Sequence, residues 1–197
     1  MNYLAHVFLS FNEDEIMIGN FIADFLKNKD VERLPIAIQK GVDLHRKIDS
    51  YTDSHDIFRS STKLFHKRHG KYASVLTDMF YDLLLINNWG NYSEETLEDF
   101  TNRQYPVMLS HKSHLPEKLN TKIEKMVNDQ FLMRYSTPKG LLWSLEWMDK
   151  RTKFPSRFAE SIQDFKEHEH ALTEHFNMFF PELISYAKSE FDTYPSK

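Results

Sequence analysis

The apolar run from Tyr72 to Trp89 constrains the fold more than any other feature of the sequence. Its large side chains recur at steps of three and four residues, which is the spacing of one helix face. The stripe consists of Tyr72, Val75, Leu76, Met79, Phe80, Leu83 and Leu84, widened by Leu85, Ile86 and Trp89. A helix that is apolar over more than half of its circumference must be buried, so we predict that this segment lies at the centre of a hydrophobic core.

The remainder of the chain also shows helical periodicity. Five glycines and seven prolines interrupt 197 residues, and almost no segment alternates apolar and polar residues as a strand would. We therefore predict an all-α protein, with a single domain over residues 1–197 because this length suits one sizeable core. The other predicted helices are 12–27, one opened by Leu34–Pro35, 57–69, 93–103, 116–127, 137–151 and 156–179, with Pro106 and Pro116 in a loop and Pro181 at the start of a last helix.

Two carboxylates, Asp78 and Asp82, project into the apolar sector of the central helix when it is drawn at about 100° per residue. Like charges one turn apart in such surroundings repel each other and raise at least one pKa, unless a cation holds them. One metal site explains this pair more economically than two independent salt bridges, which are the alternative.

The stretch Gly41–His55 holds the densest group of ionisable side chains. Three of them stack along one helix edge at steps of four residues: His45, Asp49 and Asp53. An imidazole nitrogen and a carboxylate oxygen at that spacing can share one metal ion, and His55 adds a donor just past the helix end. The alternative is a solvated polar edge with a capping aspartate.

Asp24 lies among the apolar residues of the first long predicted helix, between Phe21 and Phe25. A charged carboxylate in apolar surroundings is costly unless it has a cation, a hydrogen-bond donor or a metal ion as a partner. Asp24 is therefore another candidate site residue. An exposed aspartate on the outer face of the helix is the alternative.

Composition limits the chemistry that the chain can perform. The absence of cysteine excludes disulfides, thiolate metal sites and cysteine nucleophiles, while ten histidines favour a metal or acid-base site. A formal net charge of -4 argues against general nucleic-acid binding. The N-terminal segment lacks a basic leader, and no run approaches the ~18 apolar residues of a membrane helix. We expect a cytoplasmic protein that contacts neither membrane nor nucleic acid.

Several short motifs together resemble one family. They are Met1–His6, Gly19–Asn20 with Ala23–Phe25, His45–Asp49 with Thr52–Asp53, and Asp78 with Tyr81–Asp82, followed by the Trp143 and Trp147 region and Phe179–Pro181. This set is similar to that of the acyl carrier protein phosphodiesterases over nearly the whole chain. The resemblance implies an all-helical fold distantly related to the HD-domain metal phosphohydrolases.

The resemblance also implies an activity within lipid metabolism. Members of the family use manganese to cleave the phosphodiester that joins 4′-phosphopantetheine to a serine of holo-acyl carrier protein, which leaves the apo-carrier protein. Magnesium or iron(II) could take the place of manganese. Holo-acyl carrier protein is thus the expected partner, and the reaction would be metal-assisted hydrolysis.

Each candidate residue has an expected role in that reaction. The expected metal ligands are Asp24, His45, Asp49 and Asp82. The residues expected to orient these ligands or to act as general base are Asp53, Asp78 and His55. Arg46 would pair with the phosphate. His6 is included by resemblance alone, and its alternative is a core histidine bonded to backbone.

The partner surface and one departure from the family pattern complete these expectations. Acyl carrier proteins are small and acidic, so the basic cluster Lys63, Lys67, Arg68 and Lys71 is the expected docking surface, with a merely solvated face as the alternative. The family pattern has a histidine where this chain has Leu83. Two other functions stay open: an HD-like phosphohydrolase acting on a nucleotide or small phosphodiester, and a carrier-protein-binding module without catalysis, which Leu83 makes plausible.

Overall fold

A computed structural model describes residues 1–153 and 156–194, and these contain α-helices and 3-10 turns but no β-strand. The helices are α1 Tyr3–Phe8, α2 Asp14–Ile22, α3 Asn28–Val31, α4 Ile36–Ser54, α5 Asp56–His69, α6 Ala73–Asn87, α7 Leu97–Ser110, α8 Glu117–Asn128, α9 Pro138–Asp149 and α10 Ser161–Phe191. The all-α prediction is confirmed. The predicted single domain includes residues 154–155 and 195–197, which lie outside the described residues. None of the helices in the described part of the chain could cross a membrane.

Helix α6 lies at the centre of the core, as its apolar stripe predicts. Leu76, Phe80, Tyr81 and Leu85 have no measurable exposure to solvent. The ring of Phe80 stacks between the ring of Phe65 at 5.3 Å and that of Phe165 at 4.6 Å. Helix α6 is thereby clamped between α5 and α10, and its aspartates are carried into the interior.

Helices α2 and α4 cross with their backbones in contact. A Cβ atom on Gly19 would lie 2.0 Å from the carbonyl oxygen of Ile38, and one on Gly41 would lie 2.1 Å from that of Ile16. Only glycine allows two helices to approach so closely. The crossing fixes the end of α2 against the first two turns of α4, just before His45.

Two proline-based predictions are wrong. Pro106 lies inside α7 rather than in a loop, and Pro181 lies inside the 31-residue helix α10 rather than at the start of a new one. An interior proline costs about 3 kcal/mol. The side chains of Phe179, Phe180 and Leu183 beside Pro181 are completely buried. Because each contributes about 1.5–3 kcal/mol, their burial outweighs the lost hydrogen bond.

Other helix ends differ less from the prediction. The predicted helix 12–27 stops at Ile22 and continues as a 3-10 turn, Ala23–Phe25, which carries Asp24 out to the surface. The helix expected to start at residue 93 starts at Leu97, because the side chain of Thr96 accepts a hydrogen bond from the backbone N–H of Asp99.

Candidate metal centre

Two buried histidines from different helices stack on each other beside the crossing of α2 and α4. His6 of α1 and His45 of α4 are 2% and 5% exposed. Their ring centroids are 4.0 Å apart, and their planes differ by 19°. Stacked imidazoles would repel each other if both were protonated, so this arrangement favours at least one neutral ring.

Asn20, at the end of α2, determines which nitrogen of each ring carries a proton. Its side-chain amide N–H groups donate to the carbonyl oxygen of His6 at 2.8 Å and to Ser10 Oγ at 3.1 Å. Its Oδ1 must therefore accept the hydrogen bond from His6 Nδ1, at 2.7 Å. His45 Nδ1 donates to the main-chain oxygen of Asn20 at 2.8 Å. Both rings consequently turn Nε2 away from Asn20.

The Nε2 atoms of both rings face carboxylates. Asp49 Oδ1 lies 3.1 Å from His6 Nε2, and Asp49 Oδ2 lies 3.1 Å from His45 Nε2. Asp24 Oδ1 lies 3.3 Å from His45 Nε2. The ligand atoms of His6, His45 and Asp49 all lie within 4.8 Å of one another. Adjacent ligands of a divalent ion, each about 2 Å from the metal, have similar separations.

The pKa values of the two histidines diverge. Burial and the nearby charge of His45 lower the pKa of His6 to about 4, although the contact with Asp49 opposes this shift. Burial also opposes protonation of His45, but its hydrogen bonds to Asp24 and Asp49 raise its pKa to about 9. Although burial alone would raise the pKa of Asp49, the hydrogen bond from His45 and the charge of the Met1 amino group hold that pKa far below the ordinary range.

A divalent cation fits this group of atoms. Neutral His6 donates through Nδ1, so its Nε2 lone pair faces the ionised oxygen of Asp49 at 3.1 Å without a proton between them. Two acceptors at that distance repel each other, and a cation between them would remove the conflict. The donors are imidazole nitrogen and carboxylate oxygen, which suit manganese, iron and zinc.

Asp82 is buried, but its contacts are with the backbone of α1. Its Oδ2 accepts from the N–H of Leu4 at 3.0 Å, and its Oδ1 accepts from the N–H of Ala5 at 3.2 Å. Burial raises the pKa of Asp82 to about 7 despite these two hydrogen bonds. Asp82 thereby satisfies free N–H groups at the start of α1, the helix that carries His6.

Asp78 lies one turn from Asp82 and pairs with the amino group of Met1. The amine nitrogen is 3.0 Å from Asp78 Oδ1 and 3.4 Å from Asp49 Oδ1. Burial raises the pKa of Asp78, although the amine counteracts it, and the charges of Asp49 and Asp53 contribute to the increase. The site thus contains more carboxylates than cations.

The structure distributes the other predicted residues around this centre. Arg46 donates to Asn28 Oδ1 of α3 at 2.9 Å. His55 accepts from the N–H of Ile57 and lies 3.1 Å from Glu182 of α10. Asp53 is exposed one turn beyond Asp49. Of the four predicted metal ligands, Asp24, His45 and Asp49 come together, joined by His6, while Asp82 holds α1.

The predicted docking cluster lies along α5 and the turn after it. Lys63 and Lys67 are exposed. Arg68 forms ion pairs with buried Asp164 and with Glu167, both on α10. Lys71 lies over the ring of Tyr72 at 5.2 Å.

Asn20 was not among the predicted site residues, although it contacts both imidazoles. Two sequence signals could have identified it. It lies four residues before Asp24, on the same predicted helix face, and it follows Gly19, one of only five glycines in the chain. A polar residue next to a glycine inside an apolar helix indicates a close helix crossing with a buried hydrogen bond.

Removing the carboxylate of Asp82 should destabilise the protein and loosen His6. We expect Asp82→Ala to lower the free energy of unfolding by about 2 kcal/mol, because two N–H groups of α1 lose a buried acceptor. Urea denaturation measures this loss. Asp82→Asn retains one acceptor and should cost less. An unfolding midpoint of Asp82→Ala equal to that of the parent would show that the contact with α1 contributes nothing.

Comparison with known proteins gives one consistent result. The family described as acyl carrier protein phosphodiesterase matches residues 1–183. Proteins named acyl carrier protein phosphodiesterase from Yersinia pestis and Serratia proteamaculans are 25% and 26% identical to this chain. These matches cover 95% and 96% of this chain, and 98% and 99% of the relatives. No solved structure matches the chain.

Proposed function

Because this chain belongs to the acyl carrier protein phosphodiesterase family, we propose that it hydrolyses the phosphodiester between 4′-phosphopantetheine and a serine of holo-acyl carrier protein. The products would be apo-acyl carrier protein and 4′-phosphopantetheine. The observation that carries this proposal is the convergence of His6, His45, Asp49 and Asp24 with both Nε2 atoms turned toward carboxylates. The proposed substrate is inferred from family membership, and this cluster of side chains is the proposed centre for hydrolysis.

We further propose that these four residues hold one divalent metal ion, with manganese as the first ion to test. A bound ion would lower the pKa of a coordinated water and polarise the phosphoryl oxygens. Asn20 keeps both imidazoles in the required tautomer, as residues behind metal ligands commonly do. Asp82 keeps α1 in register, so that His6 reaches the same point as His45.

The substrate would approach from the side of Asp24. The side chain of Asp24 is 63% exposed and that of Asp49 is 39% exposed, whereas both histidines are buried behind them. Arg46, exposed on α4, is the proposed partner of the phosphate, because a guanidinium group matches two phosphate oxygens. Asp53, Asp78 and His55 are the proposed proton acceptors; among them, Asp78 is linked to Asp49 through the amine of Met1.

The test is direct. Incubation of the purified protein with holo-acyl carrier protein and manganese should remove the mass of 4′-phosphopantetheine from the carrier, and a chelator should prevent the loss. Mass spectrometry of the intact carrier measures it. If holo-carrier stays intact while a nucleotide or small diester is hydrolysed, the HD-like alternative replaces this proposal. Binding of the carrier without hydrolysis of any diester would favour the binding module.

A further inference from the structure

Helix α9 exposes two large aromatic side chains next to each other. Trp143 is 48% exposed and Trp147 is 44% exposed. Their rings are nearly parallel, with centroids 6.2 Å apart and an interplanar angle of 15°. Leu142 on the same helix is 39% exposed. Large apolar side chains grouped on a surface indicate a binding face more often than a single exposed one does.

Cations cover these rings. The guanidinium of Arg134 lies 4.6 Å from the centre of the Trp143 ring, and that of Arg151 lies 4.1 Å from the Trp147 ring. Lys122 of α8 is close enough to Arg151 for that charge to add to burial in lowering the pKa of Lys122. We call Lys122, Arg134, Trp143, Trp147 and Arg151 the tryptophan face. It is both aromatic and positively charged, in a protein whose net charge is -4.

The tryptophan face adjoins the metal centre. Lys122 Nζ lies 3.5 Å from the centre of the ring of Phe25, the residue directly after Asp24. The negative charge of Asp24 acts to raise the pKa of Lys122 and of Tyr3, whereas the positive charge of Arg151 acts to lower both. Asp24 is also the most exposed member of the metal centre. A molecule bound to the tryptophan face would therefore extend to the open side of the site.

The elements that carry the tryptophan face are held by contacts with neighbouring elements of the fold. A Cβ atom on Gly140 would lie 2.0 Å from the carbonyl oxygen of Arg134, so the start of α9 touches the 3-10 turn Phe131–Ser136. Thr137 caps α9 by accepting from the N–H of Gly140. In the same turn, Tyr135 OH accepts a hydrogen bond from Asn2, next to the start of α1. The tryptophan face and the metal centre are thus supported by the same elements.

We propose that the tryptophan face is the docking surface for the acidic carrier protein, an inference that rests on the proposed function. Tryptophan and arginine are the side chains that contribute most to protein interfaces. Complementary charge speeds and orients the encounter with an acidic partner. Lys122, Arg134 and Arg151 belong to this face, and the nearby carboxylates are Asp129, at 3.4 Å from Arg134, exposed Glu146 and Asp24 at the edge of the face.

The basic cluster on α5 fits this role less well. Its Arg68 is paired with Asp164 and Glu167, whereas Arg134 pairs with Asp129 alone and Arg151 forms no ion pair with a described residue. The cluster also lacks exposed aromatic rings comparable to Trp143 and Trp147. The docking of the carrier protein is therefore assigned to α9 and its neighbours instead of α5.

The test compares a protein substrate with a small one. Trp147→Ala combined with Arg151→Glu should raise KM for holo-acyl carrier protein about thirtyfold, with a steeper effect at low salt because exposed charges are screened beyond about 10 Å at 0.1 M. Hydrolysis of bis(4-nitrophenyl) phosphate should change less than twofold. Arg151→Glu alone provides a second variant if the double variant folds poorly. Lys166→Glu, an exposed charge reversal on α10, is the matched control and should leave both reactions unchanged.

Two results would overturn the proposal while leaving the function intact. One is an unchanged KM for the carrier in the α9 variants. The other is a larger loss from reversing Lys63 and Lys67 than from reversing Arg151. If the parent protein does not hydrolyse holo-carrier at all, titration calorimetry with apo-carrier tests the docking surface independently of catalysis. Binding that is lost in Arg151→Glu supports the docking surface, whereas binding that is absent in the parent or unchanged in the variant overturns it.

Discussion

Asp49→Asn should lower manganese-dependent hydrolysis of holo-acyl carrier protein about a thousandfold and leave the protein folded. One oxygen of Asp49 faces Nε2 of His6, and the other faces Nε2 of His45. Among the described residues, Asp49 is the carboxylate that contacts both imidazoles, since Asp24 contacts His45 alone. The amide keeps the size of the side chain but replaces one charged oxygen with an N–H donor. Initial rates from carrier mass and manganese affinity from calorimetry measure the effect, with circular dichroism as the check on folding.

Asp43→Asn is the matched control for Asp49→Asn. Asp43 lies on the same helix and is exposed, and its partners are Lys47 and Tyr194 rather than the histidines. This variant should keep the parental rate and the parental metal affinity. If Asp49→Asn also kept both, the proposed metal centre would be wrong, whatever the activity of the chain.

Gly41→Ala should destabilise the protein by about 3 kcal/mol or more. The new Cβ would lie 2.1 Å from the carbonyl oxygen of Ile16 and 2.8 Å from the Cα of Gly19. Both are backbone atoms, which cannot move aside as a flexible side chain could. Helices α2 and α4 would have to separate, and Asn20 would move away from His45.

Gly90→Ala separates this steric effect from the general effect of losing a glycine. Nothing lies within 4 Å of a Cβ atom at Gly90, so the same substitution should leave the urea midpoint within about 0.5 kcal/mol of the parent. If Gly41→Ala behaves like Gly90→Ala, the two helices are not in contact as described. If Gly41→Ala unfolds the protein completely, the yields of folded protein replace the urea midpoints. A low yield for Gly41→Ala with a normal yield for Gly90→Ala then supports the contact between the two helices.

The pairing of His45 with Asp49 was predictable because it is local. Residues four apart on a helix lie on one face, and the sequence places them within α4 without ambiguity. For Asp24, the sequence predicts only that its side chain needs a partner, since a carboxylate near phenylalanines is costly without one. Which partner it finds depends on the crossing of α2 and α4, and no periodicity shows that two glycines allow this crossing.

The contacts of Asp82 could not be predicted in the same way. The helical projection correctly places it in apolar surroundings, and it is 2% exposed. Its partners are backbone N–H groups 77 and 78 residues earlier in the chain, and every residue type has such groups. A sequence gives no sign of which free helix end a buried carboxylate will reach. His6 escaped prediction from its own residues for the same reason and was included only through the family resemblance.

The prolines show the limit of local rules. Proline disfavours helix by a fixed cost of about 3 kcal/mol, and a local prediction sees only that cost. In α10, Phe179 and Phe180 before Pro181 and Leu183 after it are buried, and the helix packs against α4, α5 and α6. That gain exists only in the folded chain.

The attachment of α1 through Asp82 has a consequence for the order in which the protein becomes functional. A helix of six residues is not stable on its own in water, because nucleation is unfavourable at that length. We therefore expect α1 to form only when it packs against α2 and α6, and His6 to take its place with it. In the native state, a brief local opening of α1 would separate His6 from His45 and Asp49. Hydrogen exchange at the amides of Leu4 and Ala5, which are bonded to Asp82, therefore measures how often this opening occurs.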